Sequence, residues 1–442
     1  RKYNQSGPRY TSYPTALEFN ENYTNDDFIA AANRYPERPL SLYVHIPFCH
    51  RLCYFCGCNK VITRHQHKAD IYLDFVEKEI KVRSKLFKNR TATQVHWGGG
   101  TPTYLTEAQS ARLMGLLREH FTFSENAEIS IEMDPREIEL SMLDHLRRIG
   151  FNRISMGIQD FNKAVQKAVN REQDEAFVQA LLTRARELGF QSTNLDLIYG
   201  LPLQTVESFM FTLQKVIELN PDRLSVFNYA HLPSRFAGQA KIKEAQLPAP
   251  ETKLEILQKT IEILGNAGYK FIGMDHFAKP HDELAVAQQN GVLHRNFQGY
   301  TTQEDADLLG LGVSSISLLG DTYAQNEKDL KTYYSLVEEK GNALHKGLVL
   351  SAEDCLRRDV IKALICNFKL DFAPFEAQYG IQFTEHFNED LALLQPLIED
   401  GLIKQCATGL EVSPKGRLLI RNICLCFDTY SRAAAKRQQF SR

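Results

Sequence analysis

Four thiols crowd into ten residues, Cys49-His50-Arg51-Leu52-Cys53-Tyr54-Phe55-Cys56-Gly57-Cys58. The first three have the spacing C-x3-C-x2-C, and Cys58 follows two residues later. Thiols this dense suit metal ligation better than a disulfide framework. Two metal chemistries fit the spacing. Cys49, Cys53 and Cys56 can ligate three irons of a [4Fe–4S] cluster, which leaves the fourth iron an open position. Alternatively, a structural zinc completes its tetrahedron with Cys58, His65 or His67.

Other residues of chemical interest follow at intervals. Gly98-Gly99-Gly100-Thr101-Pro102 is a glycine turn that lets a ligand approach the backbone, since no side chain stands in the way. A structural zinc has no need of such a turn. Alternation in Ile129-Ser130-Ile131-Glu132-Met133-Asp134 puts Ser130, Glu132 and Asp134 on one face. A carboxylate facing a barrel interior is costly without a partner, and a bound cationic ligand or a structural salt bridge would each supply one. Asp196 lies in the apolar run Leu195-Asp196-Leu197-Ile198, where an acid is out of place unless it grips a ligand such as ribose hydroxyls. Gln159 closes another apolar run. Arg171 follows it and has the fork geometry to hold a ligand carboxylate, or else is a surface residue.

These residues need elements to position them. From residue 40 onward, apolar β-rich runs alternate with helical patterns. The runs are Leu40–Ile46, Gln94–Trp97, Glu128–Met133, Arg153–Ile158, Ser192–Tyr199, Asp222–Asn228, Tyr269–Ile272 and Ser314–Leu319. Tyr72, Phe75, Val76 and Ile80 fall three and four apart and form one helical stripe, as do Leu254, Leu257, Ile261 and Leu264. Thr106 with Gln109, and Ser141 with Asp144, have capping-box spacing. Strand–helix alternation predicts an α/β fold of parallel strands and right-handed crossovers, either a doubly wound sheet or a barrel. Both collect ligands at the carboxyl ends of the strands. The thiol loop follows the first strand, the glycine turn follows the second, and Glu132 and Gln159 end the third and fourth.

The expected domains are an arm over 1–35, a barrel over 36–350 and a smaller unit over 351–442. The arm is polar, broken by prolines and without strong period. It reads as packed surface, or as a lid over the site. In the last unit, Ser351 with Asp354 starts a helix, followed by a helix over Phe383–Glu399, a turn at Asp400-Gly401, short strands at Leu402–Gln405 and Glu411–Ser413, and a helix from Pro414. That order is winged-helix-like. Asp390, Glu399, Asp400 and Glu411 dilute any basic face, so a structural or substrate-covering role is expected rather than DNA binding.

The 442 residues carry a formal net charge of −2, which argues against nucleic acid as a partner. The basic residues Arg432, Lys436, Arg437 and Arg442 read as a solvated or frayed end. No apolar run approaches the ~18 residues that cross a bilayer, and none reads as a signal peptide. The nine cysteines point to a reducing, cytoplasmic compartment. No coiled-coil seam is evident, so a monomer is expected.

The thiol spacing, with Phe55 just before the third cysteine, and the glycine turn together resemble the radical S-adenosylmethionine superfamily. Tyr43-Val44-His45-Ile46-Pro47-Phe48-Cys49, Cys56-Gly57-Cys58-Asn59, His96-Trp97-Gly98-Gly99-Gly100-Thr101-Pro102, Ser155-Met156-Gly157-Ile158-Gln159-Asp160-Phe161 and Asp196-Leu197-Ile198-Tyr199-Gly200-Leu201-Pro202 resemble the oxygen-independent coproporphyrinogen III oxidases. The resemblance implies a partial (β/α) TIM-like barrel of the radical SAM type, with a [4Fe–4S] cluster on Cys49, Cys53 and Cys56. It implies S-adenosylmethionine, two per turnover, contacted by Tyr43, Phe55, Gly99, Gly100, Thr101, Glu132, Gln159, Arg171, Asp196, Ala230 and Ile316. The glycine turn would offer backbone groups to the methionine amino group. The implied reaction turns two propionates of coproporphyrinogen III into vinyls through a 5′-deoxyadenosyl radical. It requires an electron donor for the cluster and a terminal electron acceptor. Arg9, Arg235 and Arg295 are candidates for the substrate carboxylates. Haem-binding or haem-inserting relatives without oxidase activity look similar but tend to lack Cys58 and the arm, both of which this chain has.

Overall fold

The computed structural model describes residues 3, 7–303 and 305–440, the last five as backbone alone. Six strands, β1 (Leu40–Ile46), β2 (Thr91–Gly99), β3 (Thr122–Met133), β4 (Arg153–Gln159), β5 (Ser192–Tyr199) and β6 (Arg223–Asn228), lie side by side in chain order. Every pair among them is parallel. A doubly wound sheet would reverse its strand order, whereas this one progresses without reversal and curls. The period of two explains the layering. Ile129, Ile131 and Met133 of β3 are buried against the helices, while Ser130 and Glu132 face the hollow side.

The two later runs are not further strand–helix units. β7 (Lys270–Gly273) and β8 (His276–Ala278) form a hairpin, and β8 pairs antiparallel with β6. Only Met274 and Asp275 separate them, and a parallel crossover needs a dozen or more residues. On the other flank, β9 (Asp307–Leu311) pairs parallel with β1. β10 (Ile316–Leu319), β11 (Thr322–Asn326) and β12 (Leu344–Val349) then continue antiparallel. The twelve strands run β12-β11-β10-β9-β1-β2-β3-β4-β5-β6-β8-β7, with edges at β12 and β7. The barrel is therefore partial, and the carboxyl ends of β1–β6 share one rim.

The first helix after β1, His67–Arg83, buries Tyr72, Val76 and Ile80, whereas Phe75 is half-buried and stacks on Tyr334 at 4.3 Å. Capping boxes form at Thr106/Gln109 and Ser351/Asp354. The expected box at Ser141 does not form. The helix Ser141–Arg148 starts after Leu140, and the Asp144 carboxylate is taken by Arg184. In Pro250–Asn266 the buried stripe is Ile256, Thr260 and Leu264, and Leu254 is exposed.

The arm is more ordered than its sequence suggests. Asn25–Arg34 is a helix with a Thr24/Asp27 capping box, and it buries only Phe28, Ala31 and Ala32. Earlier in the arm, Tyr10 donates to Asp428 at 2.9 Å and Tyr13 meets Thr429 at 3.0 Å, so the arm packs on the C-terminal unit. That unit opens with Ala352–Asn367. It continues through β13 (Lys369–Asp371), helices Phe372–Tyr379, Phe383–His386 and Asn388–Glu399, and a hairpin of β14 (Ile403–Cys406) and β15 (Gly409–Val412). These strands form a sheet ordered β13-β15-β14. The single helix expected over Phe383–Glu399 is interrupted at Phe387, which is fully buried against Phe383 and Phe427. Arg432 is not frayed. It donates to Asp390 at 2.9 Å beside the buried Arg357–Asp390 pair. The side chains of Lys436 and Arg437, and all of Arg442, lie outside the described residues. Among the described residues, no helix is long and apolar enough to cross a membrane.

Candidate active site at the strand rim

The thiol loop leaves the end of β1 and is pinned at both ends. Phe48–Cys49 pairs with Val61–Ile62, through Val61 N–H to Pro47 O (2.7 Å) and Thr63 N–H to Cys49 O (3.0 Å). Between these ends, Tyr54 N–H donates to Val169 O, Asn170 to Leu52 O and Gln239 to Phe55 O. The loop is thus tied to the barrel from several sides. Cys49 and Cys53 are buried, Cys56 is half-buried and Cys58 is exposed toward the hollow of the barrel.

The thiols have polar company. Cys49 Sγ meets Thr101 Oγ1 at 3.1 Å, and burial pushes the Cys49 thiol up to about 11. Cys53 Sγ accepts from Arg136 at 3.2 Å and from Arg171 at 3.3 Å. Both guanidiniums also grip Asp134, whose carboxyl, though buried, is held at about 2 by Arg171 and Arg136. Among the described residues, no three His, Cys, Asp or Glu side chains converge on a point as the ligands of one ion do. The zinc tetrahedron thus lacks its ligands, whereas a cluster is ligated at separate irons and needs no such convergence. The donor set fits the cluster.

The glycine turn closes against this loop. Gly100 N–H donates to Ile46 O (2.8 Å) and Thr101 N–H to Phe48 O (2.9 Å). A Cβ at Gly100 would stand 2.8 Å from the Pro47 carbonyl, and Gly99 has φ +114 with the His45 ring against it. Only glycine allows both the approach and the dihedral. The amides here are engaged, since Gly99 N–H also reaches Glu132 at 3.3 Å. An incoming amino group, itself a donor, therefore needs the carbonyls of this turn.

Glu132 lies on the hollow side of β3, where His96 Nε2 donates to it at 3.2 Å. Tyr43 stacks on His96 at 6.0 Å and meets His45 Nδ1 at 3.1 Å. Asp196 accepts from Asn194 at 2.8 Å and from Ser155 at 3.2 Å. Burial, followed by the Glu132 charge, pushes its carboxyl up to about 6. Gln159 sits at φ +68, and its amide oxygen is buried with no partner among the described residues. A strained backbone and an orphaned acceptor are both costly, and a ligand donor would relieve the second. The Nη groups of Arg171 are engaged by Cys53, Asp134 and Gly157 O, and its Nε is buried with no partner among the described residues. Tyr43, Gly99, Glu132 and Ile316 line one cavity of about 690 Å³ with Cys58. Phe55 packs instead beside Val165, Val169, Leu201, Tyr229 and Ile242, and Ala230 is exposed next to the buried Tyr229.

Sequence reasoning gave no role to His96, Asp134 or Arg136. His96 had a signal, since alternation in Gln94-Val95-His96-Trp97 already turns it to the same side as Gln94. Arg136 had none, because it reaches Cys53 from 83 positions away.

The Radical SAM superfamily model matches residues 43–216, and the HemN C-terminal domain model matches 350–419. The oxygen-independent coproporphyrinogen III oxidase of Escherichia coli K12 is 68% identical over 442 residues, covering 100% of this chain and 97% of that protein. This chain belongs to the oxygen-independent coproporphyrinogen III oxidases. The Synechocystis member is 50% identical over 448 residues, and that of Helicobacter pylori strain 26695 is 43% identical over 441; each comparison covers at least 98% of this chain and 96% of the relative. The solved structure of the Escherichia coli oxidase, described as a radical SAM enzyme, matches with a TM-score of 0.95 over 96% of this chain and 97% of that one. Membership in this oxidase family makes the chain a radical SAM oxidoreductase, with a [4Fe–4S] cluster and S-adenosylmethionine as cofactors.

Proposed function

We propose that this chain converts two propionates of coproporphyrinogen III to vinyl groups, giving protoporphyrinogen IX for haem synthesis. The observation that carries the reading is the placement of Glu132, Gly99 and Tyr43 around one cavity at the rim that also bears Cys49, Cys53 and Cys56. Those three thiolates would hold the cluster. When bound, the cluster and S-adenosylmethionine supply a one-electron cleavage whose radical takes a hydrogen atom from a propionate β-carbon, after which carbon dioxide and one electron leave. Two propionates require two equivalents of S-adenosylmethionine per turnover.

The remaining steps belong to the protein. Arg136 and Arg171 offset the charge on Cys53. The carbonyls of the Gly99–Thr101 turn and the Glu132 carboxylate receive the cationic end of S-adenosylmethionine. Asp196 takes ribose hydroxyls, and the orphaned oxygen of Gln159 accepts from the same ligand. Tyr43, Phe55, Ala230 and Ile316 give it apolar and backbone walls, and the buried Nε of Arg171 faces the same ligand. The reading includes division into an arm, a barrel and a C-terminal unit at 35/36 and 350/351. Two large hydrophobic cores support the second boundary, although the C-terminal core also takes in Ile272, Leu293 and the arm's Tyr10 and Tyr13. It also includes a cytoplasmic monomer served by a one-electron donor and a terminal acceptor.

The test is anaerobic reconstitution with iron, sulfide and a reductant, then incubation with S-adenosylmethionine and coproporphyrinogen III. Protoporphyrinogen IX with two 5′-deoxyadenosines per turnover is expected. Cleavage of S-adenosylmethionine without decarboxylation, joined to stoichiometric haem binding, would assign the chain to the haem-binding relatives instead.

A further inference from the structure

The proposed reaction leaves one requirement without residues. Coproporphyrinogen III has four propionates, all ionised at neutral pH, and carboxylates drawn into a cavity need cationic partners. Of the three expected arginines, Arg9 faces Asp275 at 3.8 Å and lies over Phe227. Arg295 is buried beneath Tyr300 and does not line the cavity. Arg235 does line it, and so does Lys328, which the sequence did not single out.

These two cations stand on either side of the tail of the thiol loop. Phe236, next to Arg235, packs so closely on Gly57 that a Cβ there would lie 3.0 Å from the ring. The Lys328 carbonyl accepts from Asn59 Nδ2 at 3.1 Å. Gly57-Cys58-Asn59 is thus clamped between the two segments that carry the charges. A third cation, Lys346, is the cross-strand partner of Gln325, a cavity residue, so both project on one face. The three lie close enough that Lys346 and Arg235 add to burial in lowering the Lys328 ammonium. Like charges do not gather without a purpose for their field. None of the three has a carboxylate within ion-pair distance among the described residues, and neighbouring Glu327 is turned to His345 at 3.3 Å. Among the described residues, Glu132 is the only acidic one lining the cavity.

We propose that Arg235 and Lys328, backed by Lys346, bind propionate carboxylates of the tetrapyrrole at the cavity mouth, anchoring the ring while another propionate enters toward Glu132. This rests on the function proposed above. The shared chemistry is a carboxylate, and the carboxylate of S-adenosylmethionine is the other source that the test must separate.

The reconstituted holoenzyme is titrated anaerobically with coproporphyrin III and with its uncharged tetra-amide, followed by porphyrin fluorescence. The wild type is expected to bind the acid at least ~10-fold more tightly than the amide. R235Q/K328Q is expected to lose that preference, binding the acid about as weakly as the amide, while R235K/K328R restores it. KM for coproporphyrinogen III rises by a similar factor in R235Q/K328Q, and the Kd for S-adenosylmethionine stays within twofold. Equal binding of acid and amide by the wild type overturns the proposal without any variant. So does an unchanged acid preference in R235Q/K328Q, or a loss confined to S-adenosylmethionine, which would make these cations cofactor ligands. If the wild type prefers the acid yet forms no protoporphyrinogen IX, the proposed reaction fails and the carboxylate site stands.

Discussion

His96 donates from Nε2 to the Glu132 carboxylate at 3.2 Å, and its Nδ1 lies 2.5 Å from Ser130 Oγ. The two ring nitrogens thus tie His96 to Glu132 on one side and to Ser130 on the other. Glu132 thus receives N–H groups from His96 and Gly99, and among the described residues no Lys or Arg pairs with it. A carboxylate oriented by these two donors and left without a Lys or Arg partner suits a cationic ligand. Glu132→Gln should weaken S-adenosylmethionine binding about 10- to 100-fold with iron content unchanged. His96→Ala should cost less, and the double variant little more than Glu132→Gln alone. Equilibrium binding to the reconstituted protein checks this, and unaltered affinity in Glu132→Gln would end the assignment.

The thiols divide three and one. Cys49→Ala, Cys53→Ala and Cys56→Ala are each expected to lose the cluster. Cys58→Ala is expected to keep it, because Cys58 is exposed and lines the cavity beyond the C-x3-C-x2-C spacing. Iron and sulfide analysis with the visible spectrum is the measurement. A full cluster in any of the first three variants refutes the ligand set.

Arg136 and Arg171 both donate to Cys53 Sγ. Such bonds stabilise the more negative, reduced cluster. Arg136→Gln should lower the reduction potential by some tens of millivolts, on the order of one charge-assisted hydrogen bond. Redox titration followed by electron paramagnetic resonance reads the shift. A potential that holds or rises would show that the guanidinium serves Asp134 alone.

How far this site was legible follows from where its parts lie in the chain. Cys49, Cys53, Cys56 and the glycines are read directly, because one loop holds each set. Glu132 and Asp196 showed themselves as acids in apolar strands. The six parallel strands were legible from length and alternation, and so was the run that becomes β7, whereas its antiparallel pairing with β8 was not, because a short apolar run does not reveal the direction of its partner. Arg136 and Lys328 were invisible, since a cation in an ordinary helical or loop context carries no mark of the thiol or cavity it meets. The capping pattern at Ser141 misled, because Arg184, from another helix, claims the acid the box required.

Behind the cavity, Glu79 is 1% exposed and receives Gly312 N–H and Asn326 Nδ2 at 2.6 Å each and the Tyr333 hydroxyl at 3.1 Å. It ties the helix His67–Arg83 to the turn before Ser314 and Ser315, which line the cavity. Glu79→Ala strands three buried donors and should cost ~3–5 kcal/mol in urea unfolding. Glu79→Gln, which keeps one acceptor, should cost about half. A loss under ~0.5 kcal/mol for the alanine would show that water or repacking replaces the network.

Asp196 gives a test in which stability and binding move in opposite directions. Its carboxyl is pushed up to about 6, chiefly by burial and then by Glu132. Because the folded value lies above the unfolded one, the folded protein holds the proton more tightly between about pH 4 and pH 6. The stabilising contribution is therefore full at low pH and is lost as pH rises through about 6. Above that point the cofactor-free protein carries this anion at a cost of up to ~3 kcal/mol. Asp196→Asn removes the cost and should raise the Tm of the cofactor-free protein at pH 7.5 while leaving it unchanged near pH 4. The same anion is the form that accepts ribose hydroxyls. Affinity for S-adenosylmethionine should accordingly rise in the wild type as pH passes 6 and stay flat and low in the variant. A variant that is less stable at pH 7.5, or whose affinity follows the wild-type pH curve, would show that Asp196 is a structural acid held by Asn194 and Ser155.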